Sequence, residues 1–126
     1  MKKIYLFLLV LSSLSAMLQA QAKRKVLVEE FTQASCGPCA ATNPGFHKIL
    51  FTPGNETKLT LLKYQTSWPG TDPMNTQNPT EVATRVTYYG VNSVPHGVED
   101  GGATETNAVI FKDHPANFSQ ANIDSR

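Results

Sequence analysis

The chain has two cysteines, and they stand three positions apart in Cys36-Gly37-Pro38-Cys39. In an oxidising compartment they can pair only with each other or with another molecule. A disulfide stabilises a fold chiefly by closing a long loop of the unfolded chain, and a ring this short removes little chain entropy. The pair is a poor staple but suits exchange, in which one thiolate attacks a substrate disulfide and the neighbouring thiol resolves the mixed disulfide. Exchange asks for an attacking thiol that is partly ionised near neutral pH. The unpaired N–H groups at a helix N-terminus favour that anion.

The flanking segments supply such a terminus. Lys25-Val26-Leu27-Val28-Glu29-Glu30-Phe31 predicts a largely buried strand, and Ala40 to Leu50 carries apolar residues at helical spacing with Pro44 as a kink. Cys36 then falls at the strand-to-helix junction. Pro38 suits the first helical turn, where its missing N–H would have been unpaired anyway, and Gly37 leaves room for a substrate backbone beside the sulfur.

Further along, Leu59-Thr60-Leu61-Leu62-Lys63-Tyr64-Gln65 predicts a central strand parallel to the first. A second helix is delimited by Asn78 as cap, Pro79 in the first turn, Glu81 completing a capping box and Gly90 as stop. Val82, Val86 and Tyr89 share its buried face, and Glu81 and Arg85 are placed to pair at i,i+4. After Pro95, Asp100-Gly101-Gly102 marks a turn between two short strands, His96 to Asp100 and a second near Asn107 to Phe111. The first of these is thin, with only Val98 clearly apolar. Phe118, Ala121 and Ile123 outline a closing helix of marginal length, which leaves open an incomplete C-terminal helix and a chain that is a fragment of a longer protein.

The N-terminus reads as a targeting segment. Lys2 and Lys3 precede an apolar run from Ile4 to Leu18, and Ala20-Gln21-Ala22 offers a small-x-small cleavage pattern. Residues 1–22 are therefore expected to be a signal peptide and residues 23–126 one domain with one modest core. The apolar run is short for a membrane span, and no cysteine lies near the cut to be acylated, so membrane association is expected to be indirect. With eleven basic and ten acidic side chains the formal net charge is +1. Apart from Lys23-Arg24-Lys25 there is no basic stripe, which argues against a nucleic-acid partner.

Cys36-Gly37-Pro38-Cys39 after an apolar strand resembles the active site of the thioredoxin superfamily, and other positions match in order. Glu30, six residues before Cys36, stands where the family has a buried acid that manages the proton of the resolving thiol. Pro44 stands where the family's first helix is kinked. Tyr89-Gly90-Val91-Asn92-Ser93-Val94-Pro95 is similar to the family's run into a cis-proline. The resemblance implies an α/β thioredoxin-like three-layer sandwich, a central mixed sheet with flanking helices, over roughly residues 25–126. It also implies a thiol-disulfide oxidoreductase without a cofactor, in which Cys36 and Cys39 form the redox-active disulfide. Cys36 would be the nucleophile, Cys39 the resolving thiol, Glu30 the proton acceptor, and Pro95 the docking residue. Gly37, Pro38 and Val94 would line the substrate, with Val94 offering backbone hydrogen bonds. The implied partners are protein or peptide disulfides and an electron donor or acceptor of the cell envelope. The Gly-Pro pair leans toward reduction.

Tyr64-Gln65-Thr66-Ser67-Trp68-Pro69-Gly70-Thr71-Asp72-Pro73-Met74, followed by Asn78-Pro79-Thr80, looks like the thioredoxin-like opening segment of the twenty-eight-kilodalton outer-membrane protein family of Bacteroidetes. With the leader, that resemblance implies a periplasmic or outer-membrane-associated protein. The loop from Thr66 to Gln77 is longer than a thioredoxin needs, and long loops in compact domains are often functional. Trp68 and Met74 are candidates for an apolar lip against a bound peptide; the alternative is a tryptophan folded back on its own loop.

Two positions depart from the family. Ser35 replaces the usual tryptophan before the first cysteine, so substrate choice should differ. His96 follows Pro95; if its ring approaches Cys36, its protonated form favours the thiolate and reactivity varies with pH around 6 to 7, roughly the ordinary histidine range. A surface histidine without a role is the alternative. Zinc or copper on Cys36, Cys39 and a histidine is a chemical rival, but His47, His96 and His114 are scattered and no second cysteine pair exists, so no metal site is expected. The rival of another class is an envelope binding or scaffold module in which the cysteine pair is a local brace.

Overall fold

A computed structural model describes residues 24–103 and 110–126. The leader, and Asn107 to Val109 of the expected last strand, lie outside the described residues. Among the described residues no helix is long and apolar enough to cross a membrane.

Strand β1 (Val26–Thr32) leads through a tight turn into helix α1 (Gly37–Leu50), strand β2 (Leu59–Gln65), helix α2 (Pro79–Tyr89), strand β3 (His96–Glu99), strand β4 (Lys112–Asp113) and the short helix α3 (Gln120–Asp124). The sheet order is β2-β1-β3-β4. β1 pairs parallel with β2, from Val26 opposite Leu59 to Thr32 opposite Gln65. It pairs antiparallel with β3, from Val28 opposite Glu99 to Phe31 opposite His96. The parallel pair requires a crossover, and α1 provides it. The mixed sheet with helices on both faces is the expected fold class.

β1 is central, and every residue in it except Leu27 is buried. Alternation divides its side chains between two apolar clusters. Val26 and Val28 join Phe46 and Leu50 of α1, Leu59, and Phe118 and Ile123 near the C-terminus. Phe31 lies on the opposite face with Tyr89, Val91 and Val98, bordered by Tyr64, Trp68, Val86 and Val94. Together these make three layers. Phe118 packs edge-on against Phe46 at 5.2 Å between ring centroids and against Phe111 at 4.9 Å, so the short C-terminal segment closes the first cluster although α3 has only five residues.

α1 starts three residues earlier than the apolar spacing predicts, because Cys36 is its N-cap and Gly37 and Pro38 form its first turn. Pro44 lies inside it, as expected. α2 runs between the predicted limits, with Gly90 left-handed at its C-terminus. Its expected capping box is not formed: the Asn78 side chain makes no cap hydrogen bond. The Glu81–Arg85 pair is replaced as well. Arg85 turns inward, where Nε and Nη2 donate to Glu29 at 2.7 and 3.2 Å, because a fully buried carboxylate binds a guanidinium far more strongly than an exposed neighbour does. The hydroxyls of Tyr64 and Tyr89 also donate to Glu29. Burial, and then the bond to Glu29, push both tyrosines above their usual pKa.

The turn after β3 falls where predicted, with positive φ at Asp100, Gly101 and Gly102. Beyond it the described residues carry a strand at Lys112–Asp113, just past the stretch expected near Asn107 to Phe111. Phe111 instead lays its ring over Gly97, where a Cβ would come within 2.9 Å of the ring edge, while its carbonyl still accepts from the Glu99 N–H at 2.9 Å.

Replacing Arg85 by Met should leave Glu29 buried without its cation. We expect a loss of about 2 kcal/mol in urea unfolding, below the usual figure for breaking a buried pair because Arg85 is partly solvated; an unchanged midpoint would show that the tyrosines suffice.

Candidate active site

β1 delivers the chain to the junction. Its last residue is followed by Gln33-Ala34-Ser35, and the Cys36 N–H donates to the Gln33 carbonyl at 3.1 Å. Gln33 Oε1 accepts from the Ser35 N–H at 2.7 Å and the Ser35 hydroxyl at 2.8 Å. Cys36 and Cys39 form a disulfide across the first turn of α1, with their Cα atoms 5.2 Å apart. The Cys39 N–H points at Cys36 Sγ from 3.1 Å, the placement that stabilises a thiolate there in the reduced state. Space above Gly37 is open, and Gly37 and Pro38 are both exposed.

β3 brings the other wall. The Val94–Pro95 peptide is cis, as expected for Pro95, and the Val94 carbonyl oxygen lies 3.6 Å from Cys36 Sγ. Cys36, Pro95 and the Val94 backbone thus converge from opposite ends of the chain.

The loop between β2 and α2 is pinned beside them. Asp72 is buried and accepts through Oδ2 from the Ala34 N–H and through Oδ1 from the Met74 N–H, both at 2.8 Å. Asn75 donates to the Gln65 carbonyl at 2.7 Å. Gly70 rests on Ser35, where any Cβ would overlap the serine hydroxyl. The loop therefore occupies the space beside residue 35, and a side chain larger than serine would displace it.

Trp68 stands elsewhere than the lip proposed for it. It follows the folded-back alternative, packing against the cluster around Phe31 and Tyr89 and lining a separate pocket with Val82 and Val86 of α2. Burial of an indole outweighs exposing it at a rim. Met74 does reach the cysteine side, exposed over a cleft of about 320 Å³ that Cys36 and Cys39 also line.

His96 packs on Phe31 of β1. It shares the face of Phe31, with ring centroids 6.5 Å apart, because antiparallel register sets the two opposite each other. Burial, reinforced by Lys112, lowers its pKa. That burial disfavours the cationic form on which the expected role depends.

Glu30 is fully buried, and strand alternation turns it to the face opposite Glu29. Its Oε2 lies 2.8 Å from His47 Nε2 and 3.6 Å from Lys63 Nζ, while Oε1 has no partner. His47 and Lys63 both line the cleft beneath the cysteines. Sequence reasoning missed His47 as the partner of Glu30, although Cys36, Cys39, Asn43 and His47 recur at the three- and four-residue spacing of one helical face. Asp72 carried no such periodic signal. His47, His96 and His114 enter separate contacts, and among the described residues no three potential ligands cluster as a metal site.

The fold is that of thioredoxin. Tryparedoxin from Trypanosoma brucei superposes with a TM-score of 0.53 at 14% identity, covering 71% of this chain and 68% of that one. The exposed lipoprotein thioredoxin Etrx1 of Streptococcus pneumoniae gives a TM-score of 0.50 at 16% identity, covering 82% and 83%. No protein-family model and no curated protein sequence matches the chain. In this thioredoxin fold the disulfide and the cis-proline are adjacent, so the fold class and the placement of the cysteine pair stand on geometry as well as on motif.

Two measurements follow from the corrected positions. Trp68→Ala should lower stability by about 2 kcal/mol, since a half-buried indole leaves the second cluster; unchanged unfolding with altered reactivity toward peptides would restore the lip. Because the folded pKa of His96 lies below its unfolded value, the histidine's contribution is complete above the unfolded value and is lost as pH falls through the folded one. His96→Gln should therefore flatten the stability decline on acidification below about pH 6.5, and an identical decline in both proteins would exclude His96 as its source.

Proposed function

We propose that the chain is a thiol-disulfide oxidoreductase acting on protein or peptide disulfides. The observation that carries this is the Cys36–Cys39 pair at a helix N-terminus, with Cys36 Sγ facing the Val94 carbonyl before cis-Pro95. In the reduced protein the Cys36 thiolate, held by the Cys39 N–H, attacks one sulfur of a substrate disulfide. The substrate S–S bond breaks, a Cys36–substrate bond forms, and the other substrate sulfur leaves as a thiolate. Cys39 then loses its proton and attacks Cys36 Sγ, which releases the second substrate sulfur and leaves the disulfide seen here. Two electrons have passed to the substrate; a dithiol donor must return them.

Each neighbouring residue has a part in this reading. The exposed Gly37-Pro38 face admits an extended substrate segment, Val94 and Pro95 align it, and Glu30 takes the Cys39 proton. The Gly-Pro pair supports a reductant, and the leader and the loop motif support a place in the bacterial envelope, with the donor there too. Trp68 and His96 have no part in it.

One observation favours the binding-module reading: in the oxidised pair Cys36 is only 3% exposed. Turnover separates the two. With dithiothreitol as donor, the wild type should accelerate insulin reduction and Cys36→Ser should not exceed the uncatalysed rate; equal rates for both would leave a scaffold whose cysteine pair is a brace.

A further inference from the structure

Glu30 cannot reach solvent by itself, since it has no exposed surface. A buried base that accepts a proton in every turnover must also lose it. Its two carboxylate oxygens differ in surroundings. Oε1 has no partner, whereas Oε2 meets the His47 ring at 2.8 Å. The His47 side chain is 25% exposed and lines the same cleft as Cys39. The buried carboxylate is therefore joined through an imidazole to the cleft that Cys39 also lines.

We propose that His47 is the positioning and proton-accepting partner of Glu30, the outlet through which the proton of Cys39 reaches solvent during resolution of the mixed disulfide. The inference rests on the exchange reading above and deepens it. The Cys39 S–H bond breaks as the thiol attacks Cys36 Sγ, and its proton passes to the Glu30 carboxylate. Once on Oε2, the proton moves to the Nε2 lone pair of the imidazole: an O–H bond breaks and an N–H bond forms. The imidazolium then releases the proton on its other nitrogen, Nδ1, to water in the cleft, and tautomerisation of the ring restores the Nε2 lone pair. No oxidant or further reactant enters this part of the cycle, and the reverse direction runs the same path backward.

The groups that bear on the ring are few. From β1 it meets Glu30, and from β2 Lys63 approaches the same carboxylate oxygen at 3.6 Å. On its own helix Phe46 and Phe51 flank it, with centroids 6.1 and 5.7 Å away, and Lys48 is exposed beside it. Lys63 supplies charge to the carboxylate but, as an ammonium, has no lone pair to take a proton. Among the described contacts of Glu30, His47 alone can accept one.

The two steps can be timed separately with 5,5′-dithiobis(2-nitrobenzoate), a symmetric aromatic disulfide whose coloured thiolate leaves once on attack by Cys36 and again on attack by Cys39. In His47→Gln, which keeps a side-chain donor for Glu30 but cannot take up a proton, the second release should slow relative to the first by about 10- to 100-fold. Its pH–rate profile should lose one inflection present in the wild type. In His47→Ala, added imidazole should restore the second release with saturation, an effect a purely structural histidine would not produce. Lys48→Gln serves as the control and should leave both releases unchanged. A wild-type ratio and profile in His47→Gln, or no imidazole response in a folded His47→Ala, would overturn the inference while leaving exchange itself intact. Absence of the first release in the wild type would instead refute the exchange reading and this proposal with it.

Discussion

β1 is hydrogen-bonded on both edges and buried on both faces, and the rest of the molecule is arranged around that constraint. A strand in this position has no solvent-facing side, so each of its residues must find a partner within the sheet or in a helix above or below it. Val26, Val28 and Phe31 are satisfied by apolar packing. Glu29 and Glu30 are not, and their burial organises the two polar sites of the fold.

Because neighbouring strand residues point to opposite faces, the adjacent glutamates act in different layers. Glu29 gathers Arg85, Tyr64 and Tyr89, fixing α2 to the sheet through charge-assisted bonds. Glu30 gathers His47 and Lys63 beneath the cysteine pair. One carboxylate has all its near neighbours arranged as donors; the other keeps an oxygen without a partner. The asymmetry sets a fully bonded anchor on one face and an incompletely bonded carboxylate on the other.

The same strand leads into the turn that carries the cysteine pair. Its last turn is held by Gln33 and by Asp72 from a distant loop, so the position of Cys36 depends on a carboxylate more than thirty residues away in sequence. The loop also fills the space beside Ser35 and packs Trp68, partly buried, against the cluster of Phe31 and Tyr89. A small residue before the first cysteine and a long loop after β2 are thus one structural feature, each accommodating the other.

The local pattern was enough to recognise most of the elements. The apolar runs of β1 and β2, the stop at Gly90 and the turn at Asp100 are short-range signals, written in hydrophobic period and backbone preference. Cys36, Cys39, Glu30 and Pro95 were legible because their spacing follows a known pattern. The strand expected near Asn107 to Phe111 lies mostly outside the described residues; at its end Phe111 packs on Gly97, and the two-residue strand at Lys112–Asp113, too short to carry a period, follows.

What the sequence by itself determined is the cysteine pair, its helix and the strands that frame it, since these follow from interactions between residues close in the chain. Only the tertiary structure decided the partners: Arg85 with Glu29 instead of Glu81, His47 with Glu30, Asp72 with the turn before Cys36, and the inward course of Trp68 and His96. Those choices turn on which charge is most desolvated and which ring finds the larger apolar surface. Such comparisons exist only once segments distant in the chain have been brought together.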